Sequence, residues 1–310
     1  MTLLSEAISW SRISLPAGAA VGQIELSIGE VGTGDPVGLV TAGIHGDEGP
    51  WGAWAIHKML EQVSLEELQG TLRVVPVANP FAMQAEARNS PFDELDLNRV
   101  FPGNAKGSHT ERLAAALVTN AVEGVDVAID LHGGGSWCVN AFAFQFPGGE
   151  ALSRAFGAPF IASGRDRSVT LTGYARSQGA IVTALEMGGR SEVEEIWATR
   201  IASGLRRALG IAGVLTPISD KPEIESIAVG ESEVLRPSRG GIFVPAVRTQ
   251  AVGTIVEGGT VLGHLVDPVS SSVIETFKAP FPQTALLLLR PTMTRIEGGA
   301  MTYVVAEPIG

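Results

Sequence analysis

The chain has 310 residues, 45% of them apolar, and a formal net charge of −11 at pH 7. That length suits one large domain plus a small one, and the apolar share supports a sizeable core. The acidic balance argues against general binding to nucleic acid or an anionic membrane, so an anionic substrate would need a local positive site. A lone cysteine, Cys138, excludes a disulfide framework within one chain. No run of 18 or more apolar residues offers a membrane span. The first residues, MTLLSEAISWSR, lack the basic start, apolar centre and small-residue cleavage site of a signal peptide. A cytoplasmic location is the expectation.

Residues 11–30 alternate weakly and carry Gly18, Gly22 and Gly29, which fits a hairpin at a sheet edge. The apolar run 37–43 reads as a buried strand, 50–63 as a helix and 71–78 as a second strand. Residues 80–107 hold Pro80, Pro91, Pro102 and Gly103 with little regular pattern, and ordered loops this long are usually functional. Ser108-x-x-Glu111 is a capping box that opens a helix to about Glu123. Strands are expected at 125–131, 138–146 and 181–186. Ser191-x-x-Glu194 caps a further helix through about Leu209. This alternation predicts an α/β fold, a mostly parallel mixed sheet with helices on both faces. After Pro217 the pattern changes. Residues 222–310 show short β-prone pieces between Gly and Pro turns, as in a small all-β domain. The expected division is 1–217 and 218–310.

His45-Gly46-Asp47-Glu48 places an imidazole and a carboxylate three residues apart, just past the strand 37–43. His132 ends the strand 125–131, and Glu186 ends the strand 181–185. In open α/β sheets, ligands bind beyond the carboxyl ends of the strands. Two nitrogens and one carboxylate oxygen are the ligand set of a catalytic zinc with an open position for water. His45, Glu48 and His132 are therefore the expected ligands of one Zn2+ per chain. Hydrolysis also needs a proton shuttle, and Glu186 is the spare carboxylate for it. Glycines around these residues, among them Gly43, Gly46, Gly49, Gly133 to Gly135, Gly188 and Gly189, allow close approach to the backbone.

His45-x-x-Glu48, Asp96-Leu97-Asn98-Arg99, Asp130-Leu131-His132 and Leu185-Glu186-Met187-Gly188 occur in the order and context of the zinc carboxypeptidase-like superfamily. Within it, the chain resembles the succinylglutamate desuccinylase/aspartoacylase family over about 35–217, and the β segment also looks like that family's C-terminal domain. The resemblance implies a zinc carboxypeptidase-like α/β catalytic domain and a deacylase that cleaves the amide bond of a small anionic N-acyl amino acid. It implies that Glu186 is general base and acid. It gives Asn98 and Arg99 a grip on a substrate carboxylate, matching guanidinium geometry to carboxylate. It gives Arg88 the scissile carbonyl and the oxyanion, and Arg176, ten residues before Glu186, a second substrate contact.

A carboxypeptidase acting on peptides would use the same metal site, and a non-catalytic metal-binding protein is the alternative of another class. Retention of Glu186 speaks against the latter, since ligation alone does not require it. Asp96 and Asp130 are expected to orient their neighbours, Cys138 to be a buried small side chain, and Trp51, Trp54 and Trp197 to pack on helices. The β segment resembles a barrel-sandwich of the biotin- and lipoyl-carrier type. Its single lysine, Lys278, lacks a hairpin tip, so a structural role is expected. The acyl group, the amino acid and the role of Tyr174 stay open, as does a homo-oligomer.

Overall fold

A computed structural model of the chain describes residues 1–15, 24–48, 50–189 and 194–309. Gly18, Gly22, Gly49 and Ser191, all named above, lie outside the described residues.

The first part of the chain forms β1 (Ser9–Leu15), β2 (Ile24–Gly32), β3 (Val37–Ala42), β4 (Thr71–Val75), β5 (Val127–Gly134), β6 (Val139–Gln145), β7 (Phe160–Ser163) and β8 (Ile181–Gly189). Its helices are α1 (Leu4–Ala7), α2 (Trp51–Leu60), α3 (Pro80–Gln84), α4 (His109–Leu117), α5 (Glu150–Arg154), α6 (Leu171–Ser177) and α7 (Glu194–Ile211). The centre of the sheet, β4-β3-β5-β8, is parallel. The β1–β2 hairpin adds antiparallel at one edge, as its weak alternation suggested. On the other side β6 runs antiparallel to β8.

All six residues of β3 and all eight of β5 are buried. Strands covered on both faces read as continuous apolar runs, which is how they stand in the sequence. Val40, Ile129 and Leu131 pack with α2 and α7 residues such as Ile56, Met59, Trp197 and Leu205. Leu39 and Ala128 share the opposite core with Leu113 and Leu117 of α4 and Leu171 of α6. Full burial of each large aliphatic side chain stabilises by about 1.5–3 kcal/mol. The Glu111 half of the capping box is present: the Ser108 N–H donates to Glu111 Oε2 at 2.8 Å. The chain then widens into a π-type turn over Val118–Val122.

The C-terminal strands are β9 (Ile227–Leu235), β10 (Gly241–Pro245), β11 (Ile255–Glu257), β12 (Val261–Val266), β13 (Val273–Lys278), β14 (Gln283–Leu289), β15 (Thr294–Ile296) and β16 (Tyr303–Pro308). One layer, β13-β12-β10-β15, is a separate four-stranded sheet. Phe243, Phe277 and Tyr303 pack edge to face inside this region, and the Tyr303 hydroxyl donates to the Leu262 carbonyl at 2.6 Å. Lys278 ends β13 and is not at a hairpin tip. The other layer continues the large sheet, which has twelve strands in the order β1-β2-β4-β3-β5-β8-β6-β7-β9-β16-β14-β11. Hydrogen bonding thus continues from β7 of the first part of the chain into β9 of the β region. β14 also pairs directly with β6, Leu288 opposite Asn140 and Leu289 opposite Val139. That contact brings the β region to the end of the sheet where His132 and Glu186 lie.

Candidate metal centre and active site

β3 ends at Ala42, and the chain turns through His45 into a single 3-10 turn, Gly46–Glu48. Gly46 is required there: a Cβ would sit 1.9 Å from the Ala82 carbonyl group. The turn lies directly on the start of the 80–107 segment, and the Asp47 N–H donates to the Ala87 carbonyl at 3.1 Å. β5 carries His132 in the neighbouring strand. Gly133 follows it, where a Cβ would stand 2.3 Å from the Trp51 ring.

His45, Glu48 and His132 are all buried, and each offers a ligand atom within 4.8 Å of the other two. His45 Nδ1 lies 2.5 Å from Glu48 Oε1, and His132 Nδ1 lies 3.2 Å from Glu48 Oε2. The far nitrogen of each ring faces a carboxylate. His45 Nε2 is 3.2 Å from Asp96 Oδ1, and His132 Nε2 is 2.7 Å from Asp130 Oδ2. Asp130 is itself fixed by the Thr41 hydroxyl, which donates to Oδ1 at 2.6 Å. Metal-binding histidines usually donate their second N–H to such an acceptor, which sets tautomer and orientation. The donor set and its backing carboxylates therefore fit a zinc ion. The expectation that Asp96 and Asp130 orient their neighbours agrees with these contacts.

The charges follow from the same contacts. Burial disfavours charge on His45 and on His132, but adjacent carboxylates outweigh it and raise both. These are Glu48 and Asp96 for His45, and Asp130 and Glu48 for His132. Burial would raise Glu48, yet the two histidines hold it down at about 2. Asp96 is also held below the usual carboxylate range. Burial opposes this, while His45, Arg88 and Arg99 favour the charged form.

Glu186 stands opposite His132 in the parallel β5–β8 register. It is partly open to the site. Burial pushes it up to about 7, with His132 pulling against the shift and the Glu48 charge adding to it. That range suits a group that must both take and return a proton near neutral pH.

The segment 80–107 was expected to be functional, and it covers the centre. Arg88 is half-exposed, 3.2 Å from Asp96 Oδ2 and 3.8 Å from Glu48 Oε1. Asp96 opens the 3-10 turn Leu97–Arg99 by accepting from the Asn98 N–H at 2.8 Å. Asn98 is buried; its Nδ2 lies 3.2 Å from His132 Nε2, and its Oδ1 accepts from the Leu171 N–H at 2.8 Å. Arg99 is exposed, donates to the Asn98 carbonyl at 2.7 Å, and has no carboxylate partner among the described residues.

Arg176 does not join this group. It sits near the end of α6, forms an ion pair with Asp166, and lines a cavity of about 470 Å³ with Ile181, Pro147 and Gly179. Ile181 begins β8, and Glu186 lies five residues further, about 16 Å along an extended strand. Tyr174, on the same helix, packs against the core that contains Leu113 and Leu171.

One contact of Glu186 was not anticipated. Asn140 Nδ2 donates to Glu186 Oε2 at 2.7 Å. Cys138, buried as expected, donates from its thiol to Asn140 Oδ1 at 3.7 Å. A polar residue inside the apolar run Val139–Phe144 was the available signal for Asn140.

The model of the succinylglutamate desuccinylase/aspartoacylase catalytic domain matches residues 36–212. The chain is 30% identical over 309 residues to the N-alpha-acetyl-L-2,4-diaminobutyric acid deacetylase of Halomonas elongata, covering 94% of this chain and 88% of that one. Its fold is similar to that of a succinylglutamate desuccinylase/aspartoacylase from Rhodobacter sphaeroides, with a TM-score of 0.82 and 25% identity over 97% of this chain and 96% of that one. It is likewise similar to the product-bound ectoine utilization protein EutE (DoeB) from Ruegeria pomeroyi. That match has a TM-score of 0.81 and 24% identity, covering 97% of this chain and 95% of that one.

Proposed function

The chain belongs to the succinylglutamate desuccinylase/aspartoacylase family, and we propose that it is a zinc-dependent deacylase that hydrolyses the amide bond of a small N-acyl amino acid. The observation that carries this reading is the pairing of two carboxylate-backed histidines and Glu48 with a separate carboxylate, Glu186, in the adjacent strand. Zinc held by His45, Glu48 and His132 would supply the Lewis acidity that makes water a nucleophile near neutral pH.

The chain's own groups carry the rest. Glu186 takes a proton from the attacking water and returns it to the departing nitrogen as the carbon–nitrogen bond breaks. Arg88, paired with Asp96, would stabilise the oxyanion that the acyl carbonyl becomes. Arg99, whose guanidinium spends one donor on the Asn98 carbonyl, offers its remaining donors to the carboxylate of the amino-acid half. The Asn98 side chain meets His132 and the start of α6 while its backbone carbonyl accepts from the Arg99 guanidinium, so its part in the clamp is to aim Arg99. Arg176 is left out of the proposed site, because Asp166 and its place near the start of β8 keep it from the centre.

The Halomonas relative makes N-acetylated 2,4-diaminobutyrate the first substrate to try. The test is a hydrolysis screen of N-acetyl and N-succinyl amino acids with zinc-reconstituted protein, reading the amine released. Turnover of one series supports the reading. No turnover of any N-acetyl or N-succinyl amino acid, with hydrolysis of peptides instead, would replace it with a peptidase.

A further inference from the structure

We infer that Asn140 is a positioning residue for the base: its amide holds one oxygen of Glu186 and leaves the other to take up the proton. The inference rests on the deacylase reading above.

β6 and β8 pair antiparallel, with Phe142 opposite Glu186 and Asn140 opposite Gly188. Gly188 carries no side chain, so the residue directly across from Asn140 presents none of its own. The amide leans diagonally onto Glu186, a separation that side chains on one sheet face can span. Its Nδ2 meets Oε2 at 2.7 Å, while Oε1 has no hydrogen-bond partner among the described residues. A donor on one carboxylate oxygen stops the group rotating and makes the other oxygen the proton acceptor.

Asn140 is itself held from three directions. It is 4% exposed. The Cys138 thiol donates to Oδ1, which fixes the amide with its nitrogen towards Glu186. Its backbone lies between β8 on one edge and β14 on the other, where Leu288 is its partner. One residue past β14, the Arg290 guanidinium stacks on Trp137, 4.4 Å from the ring centre, and so pins the loop that leads into β6. The β region thereby supports the base from behind.

The test uses the full-length, zinc-loaded protein and the variants Asn140→Ala and Asn140→Asp, with kcat, KM and bound zinc measured for each. Losing a hydrogen bond to a charged group should lower kcat by about 10- to 100-fold, with KM within about threefold of wild type and one zinc per chain retained. Wild-type kcat in Asn140→Ala overturns the inference. So does a loss matched by lost zinc or by an equal rise in KM, which would mean a merely structural role. If Asn140→Ala does not fold, Asn140→Asp decides, since it keeps the shape and removes the donor; wild-type turnover there overturns the inference. If wild-type protein lacks deacylase turnover altogether, the deacylase reading fails and this inference falls with it. An active wild type beside fully active variants sinks the inference alone.

Discussion

Asp130 lies 2.7 Å from His132 through one oxygen and accepts the Thr41 hydroxyl through the other. The three side chains are buried, so no water competes for these contacts. The arrangement presents His132 Nδ1 to Glu48 and fixes the ring before any ion arrives. His132→Ala should therefore lose bound zinc, and Asp130→Asn should weaken zinc affinity by about 10- to 100-fold. Metal analysis and zinc titration of both variants check this. Full zinc content in a folded His132→Ala protein would show that the ligand set is wrong.

Glu186→Gln keeps the shape of the side chain and removes its proton transfer. It should bind zinc and substrate normally and lose about 10²- to 10⁴-fold in kcat. Turnover close to wild type would remove Glu186 from the mechanism.

Arg99 offers a planar fork that a lysine cannot reproduce. Arg99→Lys should lower kcat/KM by about 10- to 150-fold, and substrate carboxamides should be poor even for wild type. Equal cleavage of acids and carboxamides by wild type would dismiss the clamp.

The metal-free protein should lose stability as pH rises from about 5 to 8. Glu186 is pushed up to about 7, and both histidines are raised. For each, the folded state binds more protons than the unfolded chain in this window. Their contribution is complete below the unfolded pKa and is lost as pH climbs through the folded one. Glu48, lowered to about 2, acts with the opposite sign only in more acid solution. Zinc displaces the protons of the two histidines that would ligate it, so its stabilising effect should grow with pH. Thermal unfolding of chelated protein across this range, with and without added zinc, reads both trends. A midpoint that rises with pH in wild type, or that falls equally steeply in Glu186→Gln, would contradict the account.

The residues proposed as ligands and base could be picked out because each lies just beyond or near the end of a buried apolar run, and those runs are the central parallel strands. The order β4-β3-β5-β8 then puts His45, His132 and Glu186 at one end of the sheet. Arg176 stands apart from the cluster because sequence spacing carries no direction: ten residues upstream of Glu186 is α6, which leads into the far end of β8. Asn140 was missed because its value depends on an antiparallel register between β6 and β8, which no local pattern encodes. β7 has four residues, too few for periodicity to show. The C-terminal strands were recognised as β structure, but their continuity with the main sheet rests on long-range pairings at β7–β9 and β6–β14.

The claim that His45, Glu48 and His132 form the metal centre of a deacylase is tested most directly by adding zinc back to chelator-stripped protein while following hydrolysis of an N-acyl amino acid. Activity should be absent at first, rise in proportion to added zinc, and level off at one equivalent per chain. Full activity in stripped protein, or none once a single equivalent is bound, would contradict it.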